Sequence, residues 1–545
     1  MFNFRTGELS INISESNKLI NLTQKFLNNY IVEIAIFFLA FLSTFSFLIF
    51  YDNGLGLAYN DARSHLDIGR RVVEGLKPGL AQLGSVWLPL PHLLMVPTIW
   101  NDFFWHSGLS GALQSMVSFV ATGLLIYLFL SKIGVGYLGR IIAVLVFTLN
   151  LNILYLQSTA MTELLLIATM LAGVYELMLW FKDNKILNLI KSSFWIMLST
   201  LIRYDGWFLL LVAGIIIALK TLKSKGYATA EGIFIFFTTL AGFGIALWFL
   251  WNQLIFKDAL YFVFGPYSAR AQQVQLEEAG VLATKGDLLF SLKIYFYALV
   301  YNSYAFNVFL GLIGAIVFWF DKKIRAVVKI ASLALFAPLV FNALALYLGH
   351  SVLFIQGLSG DTWFNARYGI MMLPAIAIFI GYLIQKAGNL RYVVIGLFIF
   401  VTFFAFANND AVTIDDARVG SSQKNVSEVS GWLQENAREE GFILISAASH
   451  DAIIFTSGLP MKRFIHEGTG AYWESATAYP DRWARWIVMR TNDNNDSTFK
   501  LISKTKAFKE GYYVLVDSYP FADIYEIKNE FVKNINTEPI LGKQR

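Results

Sequence analysis

The feature that most constrains this chain is a series of apolar runs long enough to cross a bilayer, separated by short connections that carry most of the charge. Candidate spans fall at 31–51, 109–130, 141–156, 164–181, 189–202, 207–219, 233–256, 305–320, 327–348, 368–384 and 392–407. A run of about 20 apolar residues matches a ~30 Å hydrocarbon core, and inside that core a helix satisfies its own backbone groups. With 56% hydrophobic and only 15% charged residues, the composition excludes an ordinary soluble domain. The fold class expected is mainly α, a polytopic helical membrane protein of about 11 transmembrane helices with a C-terminal α/β domain. The run at 31–51 has no small-residue cleavage site after it and is expected to remain as a signal anchor.

Charge asymmetry orients the spans. The clusters Lys132/Arg140, Lys182/Lys185/Lys191, Lys220/Lys223/Lys225, Lys322/Lys323/Arg325/Lys329 and Lys386/Arg391 all fall on one side, which the positive-inside rule makes cytoplasmic. The connections 52–108, 157–163, 203–205, 257–302 and 349–367, and the tail from 408, then face outward. The expected organisation is a cytoplasmic segment 1–30, a membrane domain 31–408 with a first outward loop 52–108, and a soluble extracytoplasmic α/β domain 409–545. In that tail the patterns suggest a helix at 426–440 and strands at 442–446, 486–489 and 513–517. Lysines and arginines spread as topology markers give no nucleic-acid footprint, so no nucleic-acid partner is expected. With no cysteine, the chain has no disulfide, no cysteine-ligated zinc and no thiol nucleophile.

The unusual polar residues gather in the outward set. Immediately after the first span comes Tyr59-Asn60-Asp61-Ala62-Arg63-Ser64-His65-Leu66-Asp67-Ile68-Gly69-Arg70-Arg71. Asn60 suits an N-cap; Asp61 and His65 share a helical face at i,i+4, and Arg63/Asp67, Asp67/Arg71 and Arg70/Glu74 are i,i+4 opposite-charge pairs. A solvated, salt-bridged surface helix accounts for this pattern as readily as a catalytic one does. The Gly/Pro-punctuated aromatic stretch from Gly79 to His92 follows and suits the membrane interface. Thr162-Glu163-Leu164 opens the fourth span, Arg203-Tyr204-Asp205-Gly206-Trp207 the sixth, and Asn365-Ala366-Arg367-Tyr368-Gly369 the tenth.

In their order and common side these stretches resemble the GT-C class of polyprenyl-phosphate-sugar glycosyltransferases, with the nearest likeness to the protein O-mannosyltransferases and the lipid A aminoarabinose transferase. The resemblance covers roughly 30–408. The chain departs from mannosyltransferase-like members, which carry adjacent acidic residues in the first loop, because Asp61 stands between Asn60 and Ala62. It also lacks a Trp-Trp-Asp-Tyr-Gly-like oligosaccharyltransferase signature. The resemblance implies inverting transfer of a sugar from a polyprenyl-phosphate donor to an acceptor hydroxyl on protein, lipid or glycan, at an integral plasma-membrane enzyme. An oligosaccharyltransferase-like enzyme and a lipid-linked sugar transporter or flippase are the alternatives.

The chemistry asks for a base to take the acceptor proton and cations to stabilise the leaving phosphate. Asp61 is the candidate base. Arg203, Arg270 and Arg367 are the candidate phosphate ligands, since guanidinium groups neutralise phosphate in bidentate geometry without a divalent ion. The same arginines, placed at span ends, could instead snorkel or hold lipid headgroups. Glu163 is costly inside a bilayer and is expected to face a cavity or an arginine, while Asp205 and Tyr368 flank the arginines as further substrate-binding candidates. His65 is expected to hydrogen-bond donor or acceptor. His65 and His92 lack matched metal-ligand spacing, so no metal and no cofactor is expected.

Overall fold

The computed structural model describes residues 13–265, 268–420 and 426–539, so residues 1–12 of the amino-terminal segment, and Pro266 and Tyr267 of the outward loop, lie outside the described residues. Every candidate span is helical. Among the described residues, eight helical segments are long and apolar enough to cross a membrane: Val32–Asp52, Leu109–Lys132, Glu163–Asp183, Asp205–Lys225, Tyr227–Phe256, Ala326–Tyr347, Ala366–Lys386 and Gly388–Val419. The remaining three candidates coincide with the short apolar helices Tyr137–Thr148 and Ile186–Thr200 and with Ala305–Phe320.

The apolar stretch 288–320, too long for one span, breaks into two helices, Leu288–Ser303 and Ala305–Phe320, at an angle of 106°. Tyr304 forms the elbow, with φ +66°, a conformation that cannot continue a right-handed helix. The last turn before the elbow is held by side chains: Asn150 and Asn152 donate to the Asn302 carbonyl at 2.8 and 3.2 Å, and Asn302 Nδ2 donates to the Ala366 carbonyl at 2.7 Å. The elbow therefore fixes the start of the Ala366–Lys386 segment.

Burial ranks the helices. Glu163–Asp183 and Ala366–Lys386 have 83% and 89% of their apolar windows inside the protein, whereas Tyr227–Phe256 has 22%, which places the first two at the centre and the third at the periphery. Both central helices begin with a charged motif, Glu163 on one and Arg367 on the other. The surface of Tyr227–Phe256 presents Phe234, Ile235, Phe243, Leu250 and Leu254, as a lipid-facing helix should.

The C-terminal unit holds a five-stranded mixed sheet: β1 (Phe442–Ile445), β2 (Phe464–Ile465), β3 (Ala484–Met489), β4 (Tyr513–Ser518) and β5 (Asp523–Ile527), in the order β2-β1-β3-β5-β4. β1 runs parallel to β2 and β3, and β5 pairs antiparallel with β3 and β4. The expected strands are β1, β3 and β4, and the helix expected at 426–440 is Val426–Asn436. The helix Ala447–Thr456, which follows β1, packs against the first-loop helix Asn60–Val73. This contact sets the sheet over the first loop.

Candidate active site

The first-loop helix, Asn60–Val73, begins one residue earlier than the capping pattern implies, since Tyr59 occupies the N-cap and Asn60 is the first helical residue. Arg63 hydrogen-bonds the Leu57 carbonyl and Asn60 Oδ1 and makes no pair with Asp67. Of the three expected i,i+4 pairs only Arg70–Glu74 forms. The helix is therefore embedded in protein, with Ala62, Leu66, Asp67 and Arg70 all buried.

Asp61 points from its first turn to Arg367, whose Nη2 lies 2.6 Å from Asp61 Oδ2. Arg367 also places Nε 3.0 Å from Glu163 Oε1 and Nη1 3.8 Å from Asp416 Oδ2. The second guanidinium, Arg203, lies with Nη1 3.3 Å from the same Glu163 oxygen and Nε 3.3 Å from Asp205 Oδ2. Aromatic faces complete the packing. Tyr368 lies under Arg203 at 4.8 Å and under Arg367 at 5.3 Å, and Tyr59 lies under Arg367 at 4.9 Å. Side-chain exposure divides the cluster into a braced interior and an open edge: Glu163 is 0% and Arg367 2% exposed, whereas Arg203 is 20% and Asp61 37% exposed.

Backbone packing holds the two arginine turns. Gly206 follows Arg203 by three residues, and a Cβ there would lie 2.3 Å from the Ser199 carbonyl oxygen; a Cβ on Gly369, two residues past Arg367, would lie 2.2 Å from the Ala298 carbonyl oxygen. Both turns press against neighbouring backbone, which only glycine permits. Arg367 itself sits on the short 3-10 helix Ala366–Met372, entered through Asn365 at φ +54°.

The structure thus brings together Asp61, Glu163, Arg203, Asp205, Arg367 and Tyr368 from four separate stretches of sequence. His65, one turn beyond Asp61, is buried beside this cluster, and burial together with the Arg367 and Arg203 charges pushes it down to about 3. Arg270 is not part of the cluster: it is exposed on the helix Ala269–Glu278, its guanidinium 5.2 Å from the Phe264 ring. Two members were missed. Tyr59 donates from its hydroxyl to the Thr413 carbonyl at 2.8 Å and reaches Asp416 Oδ2 at 3.2 Å, and Asn152 Oδ1 accepts from the Thr413 amide and hydroxyl at 3.0 and 2.9 Å. Asp416 therefore enters the site from the helix Val412–Val419, beyond the last apolar run. Its signal in the sequence was the Asp415–Asp416 pair set among Val412, Ala417 and Val419. No group of three or more histidine or acidic residues is arranged to hold a metal ion among the described residues.

No known family profile matches the chain, and no curated protein matches it by sequence. Solved structures do. ArnT from Cupriavidus metallidurans bound to undecaprenyl phosphate aligns over 89% of this chain and 98% of its own length, with a TM-score of 0.53 at 9% identity. The Archaeoglobus fulgidus oligosaccharyltransferase in complex with zinc and sulfate aligns over 88% of this chain and 71% of its own, with a TM-score of 0.47 at 11% identity. The same archaeal enzyme, AglB, with an inhibitory peptide and a dolichol-phosphate gives a TM-score of 0.45 at 11% identity over 85% of this chain and 69% of its own. The first of these shows the fold alone: the chain shares the architecture of that ArnT structure, a GT-C-type helical membrane fold.

Proposed function

We propose that this protein is a membrane glycosyltransferase that moves a sugar from a polyprenyl-phosphate donor to an acceptor hydroxyl, with inversion at the anomeric carbon. The observation that carries the reading is the ion cluster: one half-exposed carboxylate, Asp61, beside two guanidinium groups that buried carboxylates hold in place. In this mechanism the acceptor oxygen attacks the anomeric carbon from the face opposite the phosphate. The bond from that carbon to the phosphate oxygen breaks, Asp61 takes the acceptor proton, and the lipid phosphate leaves with its negative charge stabilised by Arg203 and Arg367. Glu163 and Asp205 act by orienting the arginines. Arg367 Nη1 is buried, makes no hydrogen bond within the described residues and faces Asp416 Oδ2 at 3.8 Å.

A small apolar crevice of about 30 Å³ lies between the two central helices and the segment Ala326–Tyr347, lined by Ile167, Met170, Leu335, Pro338, Met371 and Pro374. Ile167 and Met371 each lie about one helical turn beyond Glu163 and Arg367, so apolar surface begins one turn from the ion cluster. The solved structure that shares this fold was determined with undecaprenyl phosphate bound, and a donor of that chemistry fits the pair of guanidinium groups.

The test is transfer of labelled sugar from a panel of polyprenyl-phosphate sugars by protein in nanodiscs, with native membrane extract as acceptor. Wild type transfers at least one sugar, and Asp61→Asn loses about 10²- to 10⁴-fold in rate while keeping its fold. Equal rates for the two proteins remove Asp61 as base, and no transfer from any donor removes the proposed activity.

A further inference from the structure

Beside the ion cluster lies a second buried polar unit that the transfer mechanism does not use. Nδ1 of His65 is 2.8 Å from Nε2 of His92, and both rings are buried. The Trp87 ring lies against His65 with centroids 4.4 Å apart and planes tilted by 42°. The sequence builds this unit from two helices that cross closely: Asn60–Val73 carries His65, Leu90–Ile99 carries His92, and a Cβ on Gly69 would lie 3.4 Å from Met95 Cβ.

The surroundings decide which nitrogens carry protons. His92 turns Nε2 to His65, and its buried Nδ1 makes no hydrogen bond of ordinary geometry; the nearby Leu88 carbonyl, which can only accept, favours the proton on that Nδ1. His92 Nε2 is then the acceptor, and His65 donates to it from Nδ1. Burial first, and guanidinium groups second, keep both rings neutral: Arg367 and Arg203 act on His65, and Arg71 acts on His92. A neutral imidazole with its proton on Nδ1 carries a lone pair on Nε2. Among the described residues no protein group pairs with His65 Nε2, and the charges that His65 senses are the two guanidinium groups assigned to the donor phosphate.

We propose that His65 reads a hydroxyl of the transferred sugar through Nε2, with Trp87 as the apolar wall for the sugar ring and His92 as the positioning residue that fixes the His65 tautomer. The inference rests on the glycosyl-transfer reading and deepens it by naming a substrate class: donors whose sugar keeps a free hydroxyl close to the reacting carbon. Aromatic faces pack against the C–H face of a pyranose while a fixed acceptor takes one rim hydroxyl. A sugar that lacks that hydroxyl leaves a desolvated acceptor unpaired, which costs about tenfold to a hundredfold in specificity.

Two measurements test this independently. The chain has six histidines, so ¹⁵N-histidine spectra of the protein in nanodiscs are simple enough to assign by single substitutions. His65 is expected to show a protonated Nδ1 and a bare Nε2 in wild type; a protonated Nε2 overturns the tautomer argument whatever the activity. The second measurement is donor kinetics. His92→Leu raises KM for the donor about tenfold with kcat changed less than about threefold, and His92→Gln, whose amide oxygen can accept the same N–H, restores most of the loss. In a panel of singly deoxygenated donors, wild type discriminates against one position by about tenfold or more, and His65→Phe abolishes that discrimination. Equal use of all deoxy donors by an active wild type, or discrimination that survives in His65→Phe, overturns this inference alone. Absence of transfer from every donor overturns the glycosyl-transfer reading, and with it the sugar assignment, leaving the tautomer to the spectra.

Discussion

Arg367 is the residue on which the site turns, because it touches three carboxylates from three distant parts of the chain while being 2% exposed. Removing one partner of a buried ion pair leaves the other charge uncompensated, at a cost of about 3–5 kcal/mol. Arg367→Met is therefore expected to lower stability by about that amount, measured by thermal unfolding in detergent, and Arg367→Met combined with Glu163→Gln should recover part of the loss. Arg367→Lys keeps the charge but cannot span Asp61 and Glu163 together, so transfer should fall steeply with a smaller change in stability. Asp61, Glu163, Arg203, Asp205 and Arg367 were legible as candidates because a charge at the end of an apolar run is costly and so informative. Asp416 and Tyr59 were not, since a second acidic residue after the last run reads as the start of a soluble tail, and a tyrosine before a helix is an ordinary interface residue.

Between elements, the first-loop helix meets the C-terminal unit through Arg71 Nη1 and Asp451 Oδ1, 3.1 Å apart, with Asp67 facing the same carboxylate. The i,i+4 spacing of Asp67 and Arg71 suggested a solvated helix face; the structure buries Asp67 against Trp105 and sends Arg71 to Asp451 because the helix Ala447–Thr456 covers that face. Burial raises Asp67, and the Asp451 charge raises it further, while burial brings Asp451 up to about 6. Both carboxyls bind protons more tightly in the docked state, so docking is most stable below the ordinary carboxylate range near 4 and weakens as pH rises through about 6. Hydrogen exchange over Ala447–Thr456, corrected for its intrinsic rate, should increase between pH 5 and 8, and Asp67→Asn should flatten that dependence. The two glycine turns give a second expectation at this scale: Gly206→Ala and Gly369→Ala force a Cβ onto carbonyl oxygens and should each destabilise by roughly 1–3 kcal/mol and reduce transfer. Neither close approach was visible in the sequence, where a glycine after an arginine carries no sign of what packs on it. The elbow at Tyr304 was half legible, since the excess length of 288–320 required a break but nothing marked its position.

Across the whole molecule, hydropathy and the basic clusters gave the helices and an orientation. The absence of native cysteine makes that orientation simple to test. Single cysteines at exposed Lys322 and Glu440 should react oppositely with an impermeant maleimide on intact cells, residue 440 modified and residue 322 protected, if the C-terminal sheet and Asp61 lie outside. Labelling of both, or of 322 alone, would reverse or break the assigned topology. Pattern located three of the five strands. It lost β2 and β5 because β2 is two residues long and β5, Asp-Ile-Tyr-Glu-Ile, spaces its charges three apart and so lacks the two-residue alternation of a strand. Finally, the order in which the cluster's members occur along the chain bears on its biogenesis. Glu163 emerges from the ribosome well before Arg203, and before Arg367 and Asp416, so it reaches the bilayer when its cations have not yet been made. Glu163 is the first residue of its span helix, and until Arg203 is made its carboxylate has no partner cation. The ion cluster is therefore complete only once the segment Ala366–Lys386 and the helix Val412–Val419 have been synthesised.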